Sequence, residues 1–471
     1  MSDYKNLINR AEEDAKVGNQ LGDFTIPESE IYANFKKAIS NPKTLKTGLY
    51  TIAKYLVQKF QIKTIGDNHN REIYFYNNGF YDKRGANIIK SEIESILEEI
   101  CTNHYKNEIV EKVKDMTYCQ REDFLVDNKL INLKNGIFNI QTKELLPHNP
   151  KYLFLHQVPI AYDPKADCVN IKKFLGEILE PQDISVIQEW LGFSLYRQYF
   201  IKKALILFGE RNTGKTTLLR LLAKFIGIEN ISGVSLHKIA SDKFSIAHLF
   251  SKHLNVYDDL SFNDINDNGA FKMATGGGYI TGEFKFGEQF SFENFAKLVF
   301  SCNKIPSSKD IDDNAYFSRW ILIQFNKQIT KDKMDSLILE KIINDGEMSG
   351  LLNLALKELN KLLSTQEFSY NREVDEIKAE MLKSSSSIAN FVFNCLEQTQ
   401  GDWISKEEMY SHYVAFANKG ELGLETKEQF GRDLTKYANY IVDGKSYDKN
   451  TMKLATGWRN VSVKKSEELP F

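Results

Sequence analysis

Cysteine is scarce and unpaired in this chain of 471 residues. Cys101, Cys119, Cys168, Cys302 and Cys395 form no CxxC pair and are odd in number, which excludes a disulfide framework and fits a reducing cytoplasm. Cys101 and His104 have a ligand-like spacing with Cys119 behind them, but no second pair completes a zinc site, and buried thiols are the simpler reading. No apolar run approaches the roughly 18 residues of a membrane span. The opening MSDYKNLINRAEED is charged from the start, so neither a membrane location nor a secretory signal is expected. A formal net charge of −2 argues neither for nor against a nucleic-acid partner. Any positive surface has to be local or assembled from several copies. Internal repeats and long low-complexity tracts are also missing.

What is present is the composition of an ordinary globular protein, with room for about two to four domains at roughly 100–200 residues each. Residues 1–45 are polar and weakly periodic, a flexible or loosely helical lead. From Gly48 to Phe60, Leu49, Ile52, Ala53, Leu56, Val57 and Phe60 recur at helical spacing. IYFY and GFY, flanking Asn77-Asn78, read as a hairpin, and a helix is expected from about Ile88 to Ile100. In LINLKNGIFNI, Asn135-Gly136 offers the positive-φ positions of a second tight turn. Residues 46–165 thus read as a small α+β module.

A helical pattern from Ile171 to Leu195 leads into ALILF at 204–208, an unbroken apolar run suited to a strand buried on both faces of a parallel sheet. Helical and strand-like segments then alternate to about residue 330, as an α/β core requires. A long helical stretch, LILEKIINDGEMSGLLNLALKELNKLL, closes this part, and Lys383-Ser384-Ser385-Ser386-Ser387 is the candidate linker to a last domain at 388–471.

The strongest signal is Gly209-Glu210-Arg211-Asn212-Thr213-Gly214-Lys215-Thr216, a complete GxxxxGK[ST] motif, followed by Thr217. Its glycines let the backbone fold into a nest of amides facing phosphate. Lys215 reaches the β- and γ-phosphates, and the Thr216 hydroxyl is placed to ligate Mg²⁺. Leu218, Leu219, Leu221, Leu222 and Phe225 continue at helical spacing, so a helix N-terminus faces the anion. A P-loop also needs a metal-holding carboxylate at the end of a neighbouring strand. LNVYDDLS offers Asp258, to hold magnesium through water, and Asp259, to polarise the attacking water; a surface Asp-Asp turn is the alternative. KLVFSCNKIP supplies a third strand, with Asn303 at its end to contact the γ-phosphate and the lytic water. Read alone, Asn-Lys-Ile-Pro is a commonplace turn; its order behind the other two motifs brings it into the site. ATP and Mg²⁺ are therefore the expected substrate and ion.

This combination resembles superfamily 3 helicases, and within them the poxvirus-type and phage or plasmid primase-helicase family, over roughly residues 70–465. LINLKNGIFNIQTKELLPHNP with VPIAYDPKADC is similar to the family's amino-side module, and IQEWLGFSLYRQYFIKKALILFGERNTGKTT to its approach to the ATPase. FKMATGGGYITGEFKFGEQF resembles the family's DNA-facing hairpin, which implies Lys285 as the main DNA contact and Lys272 and Phe286 as weaker ones. A solvated glycine-rich loop is the bland alternative. Gly278 departs from the family, which usually has Asp there. In DIDDNAYFSRWILIQF the resemblance makes Arg319 an arginine finger offered to a neighbouring subunit's ATP, against the alternative of a strand-edge surface ion pair. The last segment resembles a winged-helix domain, with helices from about Lys406 to Asn418 and Lys427 to Tyr437 and a strand pair ending in GWRNVSV. Lys445, Lys449, Lys453, Arg459, Lys464 and Lys465 against Asp448 make a local positive excess there, suited to phosphate contacts or to a protein partner.

The resemblance implies an α/β, AAA+-like P-loop ATPase core at 166–382, a collar-like N-terminal α+β module and a C-terminal winged helix. The implied machine is a homo-oligomeric ring, a hexamer, working on single-stranded and forked DNA in a bacterial or archaeal host's cytoplasm or at a site of viral replication. About 45 residues precede the resemblance, too few for a primase domain, so priming is expected either from another chain, a separate primase or polymerase, or from a part of the protein outside this sequence. Two rivals are an ATP-switch initiator that marks or melts an origin without processive unwinding, and a P-loop small-molecule kinase whose turnover ignores DNA.

Overall fold

The computed structural model describes residues 27–464 apart from 67–70, 125, 262–264, 266, 286–288, 307, 309, 331–334, 336, 371, 421 and 448–453. Phe286, Asp448, Lys449, Lys453 and Lys465 lie outside the described residues, as does residue 1–26 of the expected lead.

Helix α1 (Glu28–Ala38) buries Ile31 and Phe35, four residues apart on one face. Both join the core of the N-terminal module, so the described part of the expected lead is packed helix. Helix α2 (Pro42–Phe60) starts with Pro42 at its first position and with the Asn41 side chain accepting from the Lys43 amide. Leu49, Ile52, Ala53, Leu56 and Phe60 form its buried stripe, and Gln61 ends it in the left-handed region. Strands β1 (Lys63–Gly66), β2 (Arg71–Asn77) and β3 (Phe80–Asp82) form an antiparallel meander. The β2–β3 turn is Asn78-Gly79, both at positive φ, one residue later than the expected Asn77-Asn78. Helices α3 (Gly85–Leu97) and α4 (Asn103–Met116) complete the module.

A second small sheet, β4 (Leu130–Leu133), β5 (Gly136–Asn139) and β6 (Leu145–Leu146), follows. Leu133 pairs with Gly136, so this hairpin turns on Lys134-Asn135 and not on Asn135-Gly136. Only Gly136 has positive φ, and a Cβ there would lie 2.6 Å from the Leu146 carbonyl oxygen. Ile131, Leu133, Phe138 and Ile140 share a core with the parallel-sheet region and not with α1–α4. Residues 130–140 and 158–160 therefore pack with the chain beyond the expected boundary at 165, while Leu153 and Leu155 pack on the β1–β3 meander.

Helices α5 (Val169–Ile178) and α6 (Pro181–Leu195) replace the single expected helix at 171–195; Pro181 cannot continue a helix but opens one. Then come β7 (Ala204–Gly209), α7 (Lys215–Ile226), β8 (Ile231–Ser232), α8 (Leu236–Ser241), α9 (Lys243–Ala247) and β9 (Leu254–Tyr257). After them the chain forms α10 (Gly269–Ala274), the hairpin β10 (Tyr279–Glu283) and β11 (Gln289–Glu293), β12 (Lys297–Cys302), α11 (Asn314–Phe317) and β13 (Trp320–Phe325). Five strands form one parallel sheet in the order β13-β7-β12-β9-β8. Its apolar runs serve two cores at once. Leu205, Leu207, Val299, Ile321 and Ile323 face one, while Ile206, Phe208, Leu298, Phe300, Trp320 and Leu322 face the other. Burial on both sides is why alternation is absent from these strands.

The long helical stretch is two helices, α12 (Ile338–Ile342) and α13 (Asp345–Thr365), with Asn344 capping the second. Gly192 of α6 packs so close to α13 that a Cβ would meet the Ala355 carbonyl oxygen at 2.4 Å. The expected linker at 383–387 is instead a helix junction. Helix α14 (Val374–Ser385) ends there, and Ser386 accepts from the Ala389 amide to start α15 (Ser387–Cys395). Strand β14 (Leu396–Ser405), helices α16 (Lys406–Lys419) and α17 (Lys427–Tyr437), and strands β15 (Val442–Tyr447) and β16 (Leu454–Val463) follow. The antiparallel sheet order is β14-β16-β15, and Phe391, Tyr413, Phe430 and Trp458 fill the core. The sequence signalled both later strands and not β14, whose LEQTQGDWIS is mostly exposed.

Where residues 147–160 meet the sheet region, His156 and His253 are buried with ring centroids 4.3 Å apart, edge to face. His253 Nδ1 contacts the Ser194 carbonyl oxygen at 2.9 Å. Burial, with Arg197 and Lys252 nearby, pushes His156 well below the usual imidazole range and His253 down to about 3. Both are neutral in the folded protein, whereas the unfolded chain binds their protons below about pH 6.5. Stability should therefore fall as pH drops from about 6.5 towards 3, by up to roughly 1.4 kcal/mol per pH unit for each histidine. Chemical denaturation across that range checks this; replacing His156 by Phe should flatten the slope, and an unchanged slope would contradict it.

Candidate active site

The loop at 209–214 joins β7, which lies between β13 and β12 in the sheet, to α7. Gly209 (φ 139°), Asn212 (φ 60°) and Gly214 (φ 95°) take conformations that carry the chain around a concave turn. Leu218, Leu219, Leu221, Leu222 and Phe225 bury the inner face of α7, which fixes its N-terminus over the sheet. The loop is backed by a hydrogen bond from the Ile329 amide to the Asn212 carbonyl at 2.9 Å. Thr213 Oγ1 donates to the Glu210 carbonyl at 2.9 Å. Lys215 Nζ donates to the carbonyls of Gly209 and Glu210 at 2.7 and 2.6 Å. Burial holds this ammonium below the usual lysine range, although Cys302, Asp258, Glu210 and Asp259 oppose the shift.

Parallel pairing sets the ends of β9 and β12 beside this loop. Thr216 Oγ1 donates to Asp258 Oδ2 at 3.0 Å, and Ser301 Oγ donates to Asp258 Oδ1. Asp259 follows at φ 56°, and its amide donates to Asp258 Oδ1 at 3.0 Å. An open cleft of about 2040 Å³ is lined by Arg211, Asn212, Thr213, Gly214, Lys215, Thr216, Thr217, Asp258, Asp259 and Asn303. Gly209 and Glu210 stand behind it, turned to Lys215. The structure thus gathers the phosphate-, metal- and water-directed candidates of three separate motifs, while Arg319 and the described DNA-contact candidates stand outside the cleft. Ser301, which orients the Asp258 carboxylate, carried no sequence signal. A strand-end serine becomes informative only once its neighbour is known.

Arg319 lies elsewhere. It precedes β13, and its carbonyl accepts from the Ala204 amide at 2.6 Å. That is the opposite end of the sheet from the loop, about 20 Å away along a six-residue strand. Its guanidinium donates to Thr275 Oγ1 at 2.9 Å. On α10, Lys272 is ion-paired with Asp313 at 2.7 Å, so that candidate DNA contact is already engaged. Lys285 is exposed at the end of the β10–β11 hairpin. Gly278 has ordinary φ, and a Cβ there would meet nothing closer than 4.0 Å, so the turn does not depend on glycine. Arg121, in the N-terminal half, sits over the rings of Phe290 at 4.9 Å and Phe250 at 5.2 Å, tying the hairpin to that half. In the last domain, Lys445 and Arg459 are exposed on neighbouring strands, with Arg459 Nη2 donating to the Lys445 carbonyl at 3.0 Å.

Comparison with known proteins adds the following. Residues 207–319 match a family of unknown function, and residues 41–180 match a family described as D5 N terminal like. Over 239 residues the chain is 23% identical to "Putative helicase L207/L206" of Acanthamoeba polyphaga mimivirus. That match covers 48% of this chain and 25% of the viral protein, so the chain spans about a quarter of the length of this curated relative. Two apo structures of the NrS-1 C-terminal region are similar at 13% identity, with TM-scores of 0.46 and 0.42. They cover 87% and 88% of this chain, and 98% and 99% of their own.

A Cβ at Gly209 would stand 2.5 Å from the Phe325 carbonyl oxygen, at a φ few side chains adopt. Gly209→Ala should cost about 1–3 kcal/mol and displace the loop. Thermal unfolding should show a lower Tm; an unchanged Tm would show that the loop tolerates the methyl group.

Proposed function

We propose that this chain is the motor of an ATP-dependent DNA helicase that serves replication of a phage, virus or plasmid. The observation that carries the reading is the pairing of Thr216 with Asp258 at 3.0 Å, beneath a glycine loop that opens a helix at the carboxyl ends of parallel strands. The similarity of residues 41–180 to the D5 N terminal like family, and of half the chain to a viral protein named as a helicase, supports the replicative setting.

ATP is the substrate of this cleft. The loop amides and the α7 N-terminus grip its phosphates. Lys215 exchanges its two loop carbonyls for phosphate oxygens, a trade favoured by the stronger charge-assisted bond. Thr216 and Asp258 present only oxygen donors, a set that fits magnesium; they would hold the ion, which neutralises phosphate charge when bound. Asp259 and Asn303 stand at adjacent strand ends, where they orient the attacking water and sense the γ-phosphate.

Arg319 is at the far end of its own sheet, so it serves a neighbouring copy's cleft in a ring, a hexamer in our reading. There its guanidinium offsets charge on the departing phosphoryl group. Hydrolysis moves the hairpin bearing Lys285 along single-stranded DNA in the 3′ to 5′ direction. The C-terminal domain, helix–strand–helix–helix–strand–strand with β16 between the others, acts as a winged helix contacting DNA through Lys445 and Arg459. Lys272, held by Asp313, contributes less to DNA binding.

Magnesium-ATP turnover with and without single-stranded DNA tests the reading. Lys215→Ala should lose about 100-fold or more, and Arg319→Ala about 1000-fold. A tenth part of Arg319→Ala protein mixed into wild type should depress the rate by more than a tenth. A strictly proportional loss overturns the shared site. Turnover by a monomer indifferent to DNA and to Arg319 points to a small-molecule kinase instead.

A further inference from the structure

Helix α2 carries four lysines and no carboxylate along its 19 residues. Residues 27–60 hold six lysines against Glu28 and Glu30 alone, a local excess of four positive charges in a chain of net −2. These lysines divide by direction. Lys36 pairs with Glu99, and Lys59 with Glu28 and Glu92. Lys43, Lys46, Thr47, Tyr50 and Lys54 lie on the exposed side of α2, opposite its stripe of Leu49, Ile52 and Leu56. Their spacing of three, four and seven residues from Lys43, continued by Lys54, aligns them as one ridge about 16 Å long. Among the described residues no ion pair engages Lys43 or Lys46. Tyr50, in the middle, keeps 52% of its surface in solvent.

We infer that this ridge is a second binding surface for single-stranded DNA, distinct from the hairpin, with Lys43 and Lys46 on backbone phosphates and Tyr50 stacking on a base. The inference rests on the helicase reading for its partner and on α2 for its place. Lysines without local carboxylates complement a polyanion through counterion release. An exposed aromatic ring among them selects a strand whose bases are unstacked, because a paired base offers no free face. The surface belongs to the N-terminal module, so it holds the strand outside the part of the molecule that hydrolyses ATP.

The test is binding of a fluorescent oligothymidylate to the full chain across a salt series, without nucleotide. In Lys43→Gln/Lys46→Gln the slope of log affinity against log salt should flatten by about 1.4, the loss of two phosphate contacts on a single strand. Tyr50→Ala should weaken binding about tenfold at fixed salt, and Tyr50→Trp should restore it. Basal ATP turnover and Tm should stay at wild-type values, since these side chains point into solvent. Wild-type binding that ignores all three substitutions overturns the surface while leaving the helicase reading standing. No binding by wild type overturns both. Equal binding of a duplex, unaffected by Tyr50→Ala, overturns the single-strand assignment.

Discussion

Parallel pairing of β12 with both β7 and β9 is the constraint on which the candidate site depends. It sets Gly209, Asp258 and Asn303, from three separated stretches of chain, at one edge of one sheet. The cleft can form there because a parallel strand exposes its carboxyl end beside a helix N-terminus, where amide dipoles and carboxylates collect. The pairing itself is held by apolar burial on both faces, with Leu205 and Val299 on one side and Ile206 and Phe300 on the other. Each fully buried side chain of this kind contributes roughly 1.5–3 kcal/mol, so the geometry of the polar cleft is enforced by residues that never touch it.

Buried cations tie this core to the chain before it. Lys297 is wholly buried at the start of β12 and donates to the carbonyls of Tyr196, Gln198 and Phe295. Burial pushes its pKa well below the usual lysine range. Arg197, in the same segment, donates to the carbonyls of Asp127 and Leu130, and burial brings it down to about 10. An ammonium or guanidinium removed from water needs such full pairing, since an unpaired buried charge costs several kcal/mol. With Arg121 over Phe250 and Phe290, these contacts give the segment 196–200, the β4–β6 sheet and the hairpin a shared frame.

The two faces of this molecule also differ in how charge is used. Inside, Lys297 and Lys215 are occupied by backbone carbonyls and serve to fix geometry, while at the surface Lys361 pairs with the buried Glu189 at 2.6 Å. Outside, Lys43 and Lys46 of α2 are exposed, where long-range attraction to a polyanion matters more than any one contact. A net charge near zero hides this division, because it averages the acidic remainder with local positive surfaces.

The sequence by itself determined the pieces whose physics is local. The Gly209–Thr216 motif, the apolar runs of β7, β12 and β13, and the stripe of α2 were legible because a loop, a doubly buried strand and an amphipathic helix each leave a short-range pattern. Small displacements, such as the turn at Lys134-Asn135 and the break at Pro181, came from choices that differ by one residue of register. Tertiary structure alone decided what depends on distant partners. It set Ser301 on Asp258 and Arg319 on Thr275, far from its own cleft. It also packed residues 130–140 onto the parallel-sheet core and made the polar run at 383–387 a helix junction. The distant pairings leave no local signature, because the stabilising contact lies tens of residues away in the chain; the Ser386 cap is local, but a run of serines reads equally as a linker.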